Sequence, residues 1–267
     1  MDVELTVLLS LLVAGISRAM IYFLLAAGLT LIFGVLEVVN FAHGAFYMLG
    51  VFLSYSLIVG LNLNFGVAFL FITFIMALIG GLTEYILFRR IYKAEHVMQL
   101  LLSFGVVYII SDIVRLKWGV IPKSIGTPSL FQGFINFHNI IITKYSLFIL
   151  VLTVVIALLM FLVLYKTKTG AILRACALDP EMTRCRGIDV TRVFLLVFMT
   201  GVGLAGMAAV AAAPMVTGNL GIDAQMIIVA FSLVIIGGAG SIGGAFAAAL
   251  IIGIVESLGT LVLPQFA

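Results

Sequence analysis

Along most of this chain, long apolar runs with at most one charge each alternate with short polar breaks. The runs fall at 19–36, 43–61, 65–88, 97–114, 145–165, 193–213, 224–239 and 243–263. A helix needs about 20 mostly apolar residues to cross a bilayer. The pattern therefore predicts an all-α polytopic membrane protein with about eight transmembrane helices. Residues 5–17 are apolar but short, and read as an interfacial or re-entrant lead-in. Leu61-Asn62-Leu63-Asn64 predicts a tight turn between two spans. Residues 115–144 carry Trp118, Pro122, Gly126, Pro128 and Gly133 and predict an ordered loop. Residues 1–267 read as one transmembrane domain.

Composition agrees with the pattern. The chain is 64% hydrophobic and 9% charged, whereas a soluble domain is about half apolar and a quarter charged. The first residues carry Asp2 and Glu4 rather than basic charge, and the apolar character never stops, so no cleavable signal peptide is expected. Cys176 and Cys185 have neither a second pair nor a His spacing suited to zinc, and read as ordinary thiols.

Charge placement gives an orientation. The longest polar interruption, 166–192, holds Lys166, Lys168, Arg174, Arg184, Arg186 and Arg192, six of the fourteen basic residues. The positive-inside rule puts it in the cytoplasm and the N-terminus outside. Arg89, Arg90 and Lys93 then fall inside, in agreement. Arg115, Lys117 and Lys123 fall outside, against the rule. The larger cluster decides.

That interruption has helix signals of its own. Asp179 suits an N-cap, Pro180 the first helical position, Glu181 the first turn, Arg184 and Arg186 the last, and Gly187 a left-handed stop. Gly170 to Leu178 is a second short helical pattern. Two brief helices joined at an Asp–Pro turn could transmit a push, which a flexible tether could not. On these signals alone a docking element and an ordinary lipid-facing loop stand level.

Polar groups inside apolar runs are the other candidates. Phe41 to Thr83 carries no formal charge, yet Asn40 and His43 sit at its start with Glu37 just before and Gly44 just after. In a helix, Asn40 and His43 would share a face. The reading favoured is a packing lock combined with a helix break beside a translocation route, rather than direct substrate contact. Glu84 is one turn from Arg89 and Arg90. Asp112 and Asp223 fall near expected outer ends, where water would solvate them. Glu256, followed by Ser257, is deeper, and buried ionisable groups in membranes are costly enough to be paired or functional. Gly238, Gly240 and Gly243 satisfy G-x-G-x-x-G, but without a βαβ setting they read as close packing or a helix break, not a nucleotide site. No G-x-x-x-x-G-K-[ST] is present, so any ATP engine would be a separate polypeptide.

Three blocks together resemble the branched-chain amino acid permeases of bacterial ABC importers: "GLTLIFGVLEVVNFAHGAFYMLG", "TKTGAILRACALDPEMTRCRGIDVTRV" and "VIIGGAGSIGGAFAAALIIGIVESLG". They occur in that family's order and at about its spacing. The resemblance implies a permease subunit in the cytoplasmic membrane of a prokaryote. It implies a second homologous permease, two ATP-binding subunits and an extracytoplasmic solute-binding protein as partners, with no cofactor and no nucleic acid. It also implies that the segment carrying Arg174, Asp179, Pro180, Glu181, Arg184 and Gly187 docks on an ATP-binding subunit, and this moves the reading to docking. Glu37, Asn40, His43, Gly44, Gly238, Gly240, Gly243 and Glu256 are the candidates for the translocation route or its helix breaks. Branched-chain or related small amino acids are the expected substrates, with urea, short amides or aromatic acids as alternatives. The chain departs from the family in placing Gly243 after Ile242 where proline is common. It also stops at "LPQFA" where members usually continue, which reads as a short variant or a truncation.

Two other classes fit less well. An ion-coupled carrier would place carboxylates near mid-membrane, and only Glu256 and Glu37 qualify. An intramembrane protease would need a nucleophile with a base. Ser241 lacks the right surroundings and only His43 of the three histidines is embedded, so neither catalytic residues nor metal ligands are expected.

Overall fold

The computed structural model describes residues 3–137 and 140–262. Ten helices are present among them. They are α1 (Val3–Leu36), α2 (Ala42–Tyr55), α3 (Phe65–Ile86), α4 (His96–Trp118), α5 (Lys144–Lys166), α6 (Lys168–Leu178), α7 (Pro180–Cys185), α8 (Val190–Ala212), α9 (Ile222–Gly237) and α10 (Ile242–Val262). A π-helical turn, Ser56–Gly60, extends α2. Seven helices are long and apolar enough to cross a membrane.

The chain differs from its hydropathy reading in three places. Residues 5–17 are no separate lead-in but the first part of α1. Arg18, the charge that ends the run, is met by Glu256 with its Nη1 2.7 Å from that carboxylate, so the helix continues through it. The run at 224–239 becomes α9, whose 16 residues span about 24 Å, short of the ~30 Å hydrocarbon core. The loop after α4 contains an antiparallel hairpin, β1 (Phe134–Phe137) with β2 (Ile140–Thr143), in which Phe134 faces Thr143.

α1, α2 and α8 form the centre. They are apolar around most of their circumference, as helices enclosed by other helices must be. α3 packs on α8, and α10 on α1. α3 and α5 turn wide faces outward, and between Val67 and Ile86 and between Leu147 and Tyr165 the exposed side chains are all apolar. Those faces suit acyl chains. α6 and α7 project at one end, and the segment of Arg89, Arg90 and Lys93 is at that end too, since Tyr92 packs on Phe194 near the start of α8 with ring centroids 5.3 Å apart. The hairpin marks the other.

Two helices begin inside the bundle rather than at its ends. Gly201 is the midpoint of α8, eleven residues from each terminus. Gly28 of α1 lies against it, and the His43 ring lies against Gly28. The start of α2 is therefore level with the middle of α8, with residues 37–41 climbing back from the end of α1. Gly44 in turn lies against the carbonyl of Asp223, which sets the start of α9 at the same level. The segment after α8 descends to reach it, with Gly218 beside Val51 and bridged to Lys123 by two backbone hydrogen bonds of 2.8 Å.

Candidate functional site

At the basic end, the α6–α7 pair is built as one stiff piece. Thr167 caps α6, its hydroxyl oxygen accepting from the Gly170 N–H at 3.1 Å. Asp179 ends α6 and begins α7, where its carboxylate accepts from the Met182 N–H at 2.8 Å and its carbonyl from the Thr183 hydroxyl at 2.8 Å. Pro180 takes the first helical position. Gly187 closes the motif at φ +80°, a left-handed conformation that side chains disfavour. The pair is clamped to α5: Gly170 packs on the Leu164 carbonyl, and the Arg174 guanidinium donates to that carbonyl and lies over the Tyr165 ring. Cys176 is buried between these turns, and burial pushes its thiol up against the lowering pull of Thr183 and Arg184.

Glu181, Arg184 and Arg186 face outward. So do two apolar side chains the sequence reading passed over, Leu178 at 88% and Met182 at 59% exposure. They flank the Asp179–Pro180 turn. Their exposure next to a capped turn is a mark of a contact surface.

The second locus is the break between α1 and α2. Glu37 turns the chain at φ +54° and is exposed. Asn40 is not in a helix with His43, as the sequence suggested. It precedes α2, and its carbonyl accepts from the His43 N–H at 3.3 Å. The His43 Nε2 lies 3.0 Å from the Leu25 carbonyl oxygen. A carbonyl only accepts, so Nε2 carries the proton and Nδ1 is left as an acceptor. Asn40 and His43 are fully buried. Neither polar atom of the Asn40 amide has a partner among the described residues, nor has His43 Nδ1 or the Tyr47 hydroxyl one turn on. Each unpaired buried group costs about 1–3 kcal/mol.

The remaining candidates are distributed. Gly238 and Gly240, at φ +86° and +80°, break the chain between α9 and α10, and Gly240 lies against Gly34 of α1. Gly243 is inside α10 with open space around it. Glu256 is half-exposed and paired: Arg18 Nη1 is 2.7 Å away and the Tyr22 hydroxyl 3.0 Å. Glu84 is buried and bound by Arg89 at 2.9 Å and by the Tyr92 hydroxyl at 2.6 Å. Burial and then the Glu84 carboxylate push the Tyr92 phenol up. Asp223 is not solvated at an outer end. It is 9% exposed, level with the middle of α8, with the Ser111 hydroxyl 3.4 Å from its carboxylate. Among the described residues no three His, Cys, Asp or Glu side chains group as a metal site.

Membrane-length helices around two that start mid-bundle, with a capped helical pair projecting at one end, define a transmembrane permease domain. The chain belongs to the family described as branched-chain amino acid transport system / permease component, which matches residues 11–266. It is 29% identical over 266 residues to the high-affinity branched-chain amino acid transport system permease protein LivH of Escherichia coli, covering 93% of this chain and 85% of that one. It is 30% identical over 261 residues to BraD, the corresponding permease protein of Pseudomonas aeruginosa, with the same coverage. A probable LivH of Methanocaldococcus jannaschii is 30% identical over 248 residues, 90% of this chain and 77% of the relative. No solved structure matches the chain significantly. The protein is thus an ABC-importer permease, a multi-pass protein of the inner membrane.

Proposed function

We propose that this permease pairs with a second, homologous permease and that the two carry branched-chain or related small amino acids inward by alternating access. Two ATP-binding subunits supply the energy, and an extracytoplasmic solute-binding protein delivers the substrate. The α6–α7 end faces the cytoplasm and the N-terminus lies outside. ATP binding closes the ATPase pair and drags α6–α7. Because Gly170 and Arg174 tie that pair to the last turn of α5, its displacement passes into the membrane rather than dissipating in a linker.

One observation carries this reading. A doubly capped helix pair presents Leu178 and Met182 to a partner beside Glu181 and Arg184. Asp179, Pro180 and Gly187 hold the shape of that surface, and Arg174 anchors it. The break at residues 37–41, which Glu37 turns and which Gly44 follows inside α2, and the breaks at Gly238 and Gly240, together with the unpaired Asn40 amide and His43 Nδ1, supply the joints at which the halves shift. The mid-bundle level of Asn40 and His43 supports this, since non-helical backbone inside a bilayer is tolerated only within protein or along a cavity. Glu256 holds α10 to α1 through Arg18.

Reconstitution tests the proposal. Proteoliposomes containing both permeases, the ATP-binding subunits and the binding protein take up labelled leucine only with ATP on the cytoplasmic side. Undiminished uptake without the ATP-binding subunits contradicts it.

A further inference from the structure

One outward face of the bundle is unsuited to lipid. α4 and α9 both pack on α2, and Phe41, at the start of α2, stacks on Phe104 of α4 and Phe231 of α9, with ring centroids 5.0 and 4.7 Å apart. Beside Phe41 the Asp223 carboxylate is buried with the Ser111 hydroxyl of α4 3.4 Å away, and Asp112 of α4 and Gln225 of α9 turn exposed side chains to the outside. Asp223 is level with the middle of α8 through its contact with Gly44. Gln225 is two residues further along α9. Asp112 is six residues, about 9 Å, inside Trp118, the last residue of α4. A charged group in the hydrocarbon core costs at least ~2.5 kcal/mol and turns toward protein or water. The outward faces of α3 and α5, by contrast, carry only apolar side chains through the same depth.

We propose that the outward face of α4 and α9 is the seam with the second permease subunit, and that Asp112 and Gln225 line a water-filled passage within it. This rests on the permease pairing above and adds where the pairing occurs. The same face has apolar shoulders, Tyr108 and Ile109 on α4 and Ile228 and Ile235 on α9, all more than half exposed. Apolar shoulders around a polar centre let two subunits pack at the flanks while water occupies the middle. Acyl chains could cover the shoulders but would leave the Asp112 carboxylate and the Gln225 amide without water.

The passage has a consequence for substrate. An exposed carboxylate within the membrane favours a cationic group over an anionic one. An amino acid crossing there meets Asp112 with its ammonium group, and its apolar side chain has Phe41, Phe104 and Phe231 alongside.

Two measurements on the assembled transporter test this, in a background with Cys176 and Cys185 replaced by serine. Gln225→Cys and Asp112→Cys are exposed to a membrane-impermeant cationic thiol reagent, with Leu158→Cys on α5 as the lipid-facing reference. Both seam cysteines react at least tenfold faster than Leu158→Cys. A photo-crosslinking residue at Ile109 gives an adduct of the two permeases, and one at Leu158 gives none. Ile109 replaces no charge, so that arm survives if Asp112→Cys fails to fold. Seam cysteines no more reactive than Leu158→Cys, or permease adducts from Leu158 and not from Ile109, overturn the seam. Leucine uptake by the parent assembly reads the pairing and transport assignment separately. Normal uptake with a failed seam leaves that assignment standing.

Discussion

The carbonyl of Asp223, in the first turn of α9, rests on the α-carbon of Gly44, in the first turn of α2. Two helices that run in opposite directions from the middle of the bundle thus meet at their N-termini. A side chain at position 44 would press on backbone, which cannot step aside as a flexible side chain would. The contact therefore requires glycine, and it fixes the depth at which both helices start.

Gly44→Ala should lower stability by about 1–3 kcal/mol, as overpacking does, and should shift the thermal transition of the purified permease downward. Gly243→Ala, where the added methyl meets open space, should leave the transition within experimental scatter. Equal shifts in both variants would mean that the α2–α9 contact is not close.

Asn40 offers the opposite trade. Its amide is buried with no partner among the described residues, so Asn40→Leu, similar in size and without polar atoms, removes a desolvation cost of about 1–3 kcal/mol. The variant should melt higher and transport more slowly, because the group is retained for a second arrangement in which it is paired or wet. A variant more stable and equally active would reduce Asn40 to a packing residue.

How far the sequence foretold these features follows from how local their causes are. The α6–α7 turn was legible because Asp179, Pro180 and Gly187 act within a few residues of themselves. The continuity of α1 was not, because Arg18 interrupts the apolar run and only its pairing across to α10 shows that the helix carries the charge. The depth of Asp223 was hidden for a different reason. Counting apolar residues from the preceding turn assumes that the turn lies at the surface, whereas residues 213–221 descend into the bundle first. The partner of Glu256 was equally out of reach: Arg18 is 238 residues away in sequence. Leu178 and Met182 read as ordinary apolar helix positions, and their exposure emerges only once α6 and α7 stand clear of the bundle.

The two cysteines should separate by reactivity. Cys185 is exposed and Cys176 buried, and burial raises the Cys176 thiol above its ordinary range. The thiolate is the reacting form, so at neutral pH N-ethylmaleimide should modify Cys185 and leave Cys176 largely intact until pH rises or the α6–α7 pair loosens. Mass spectrometry of the alkylated chain reads both sites. Equal modification at neutral pH would mean that the pair is not packed as described.

Glu181→Lys reverses a charge on the outward side of α7, and Gly187→Trp places a bulky side chain at φ +80°, where the left-handed conformation costs roughly 1–2 kcal/mol. Both variants should insert into the membrane normally, because neither position lies in a span. Both should lose stimulated ATP hydrolysis in the assembled complex. Unchanged stimulation in both would remove the contact from α7.

Cross-linking from position 182 probes the coupling most directly. With a photo-reactive residue in place of Met182, illumination of the assembled transporter should join this permease to an ATP-binding subunit, and the yield should change when ATP is added. An assembled, transporting complex with no such adduct, or with adducts only to the solute-binding protein on the opposite face, would contradict it.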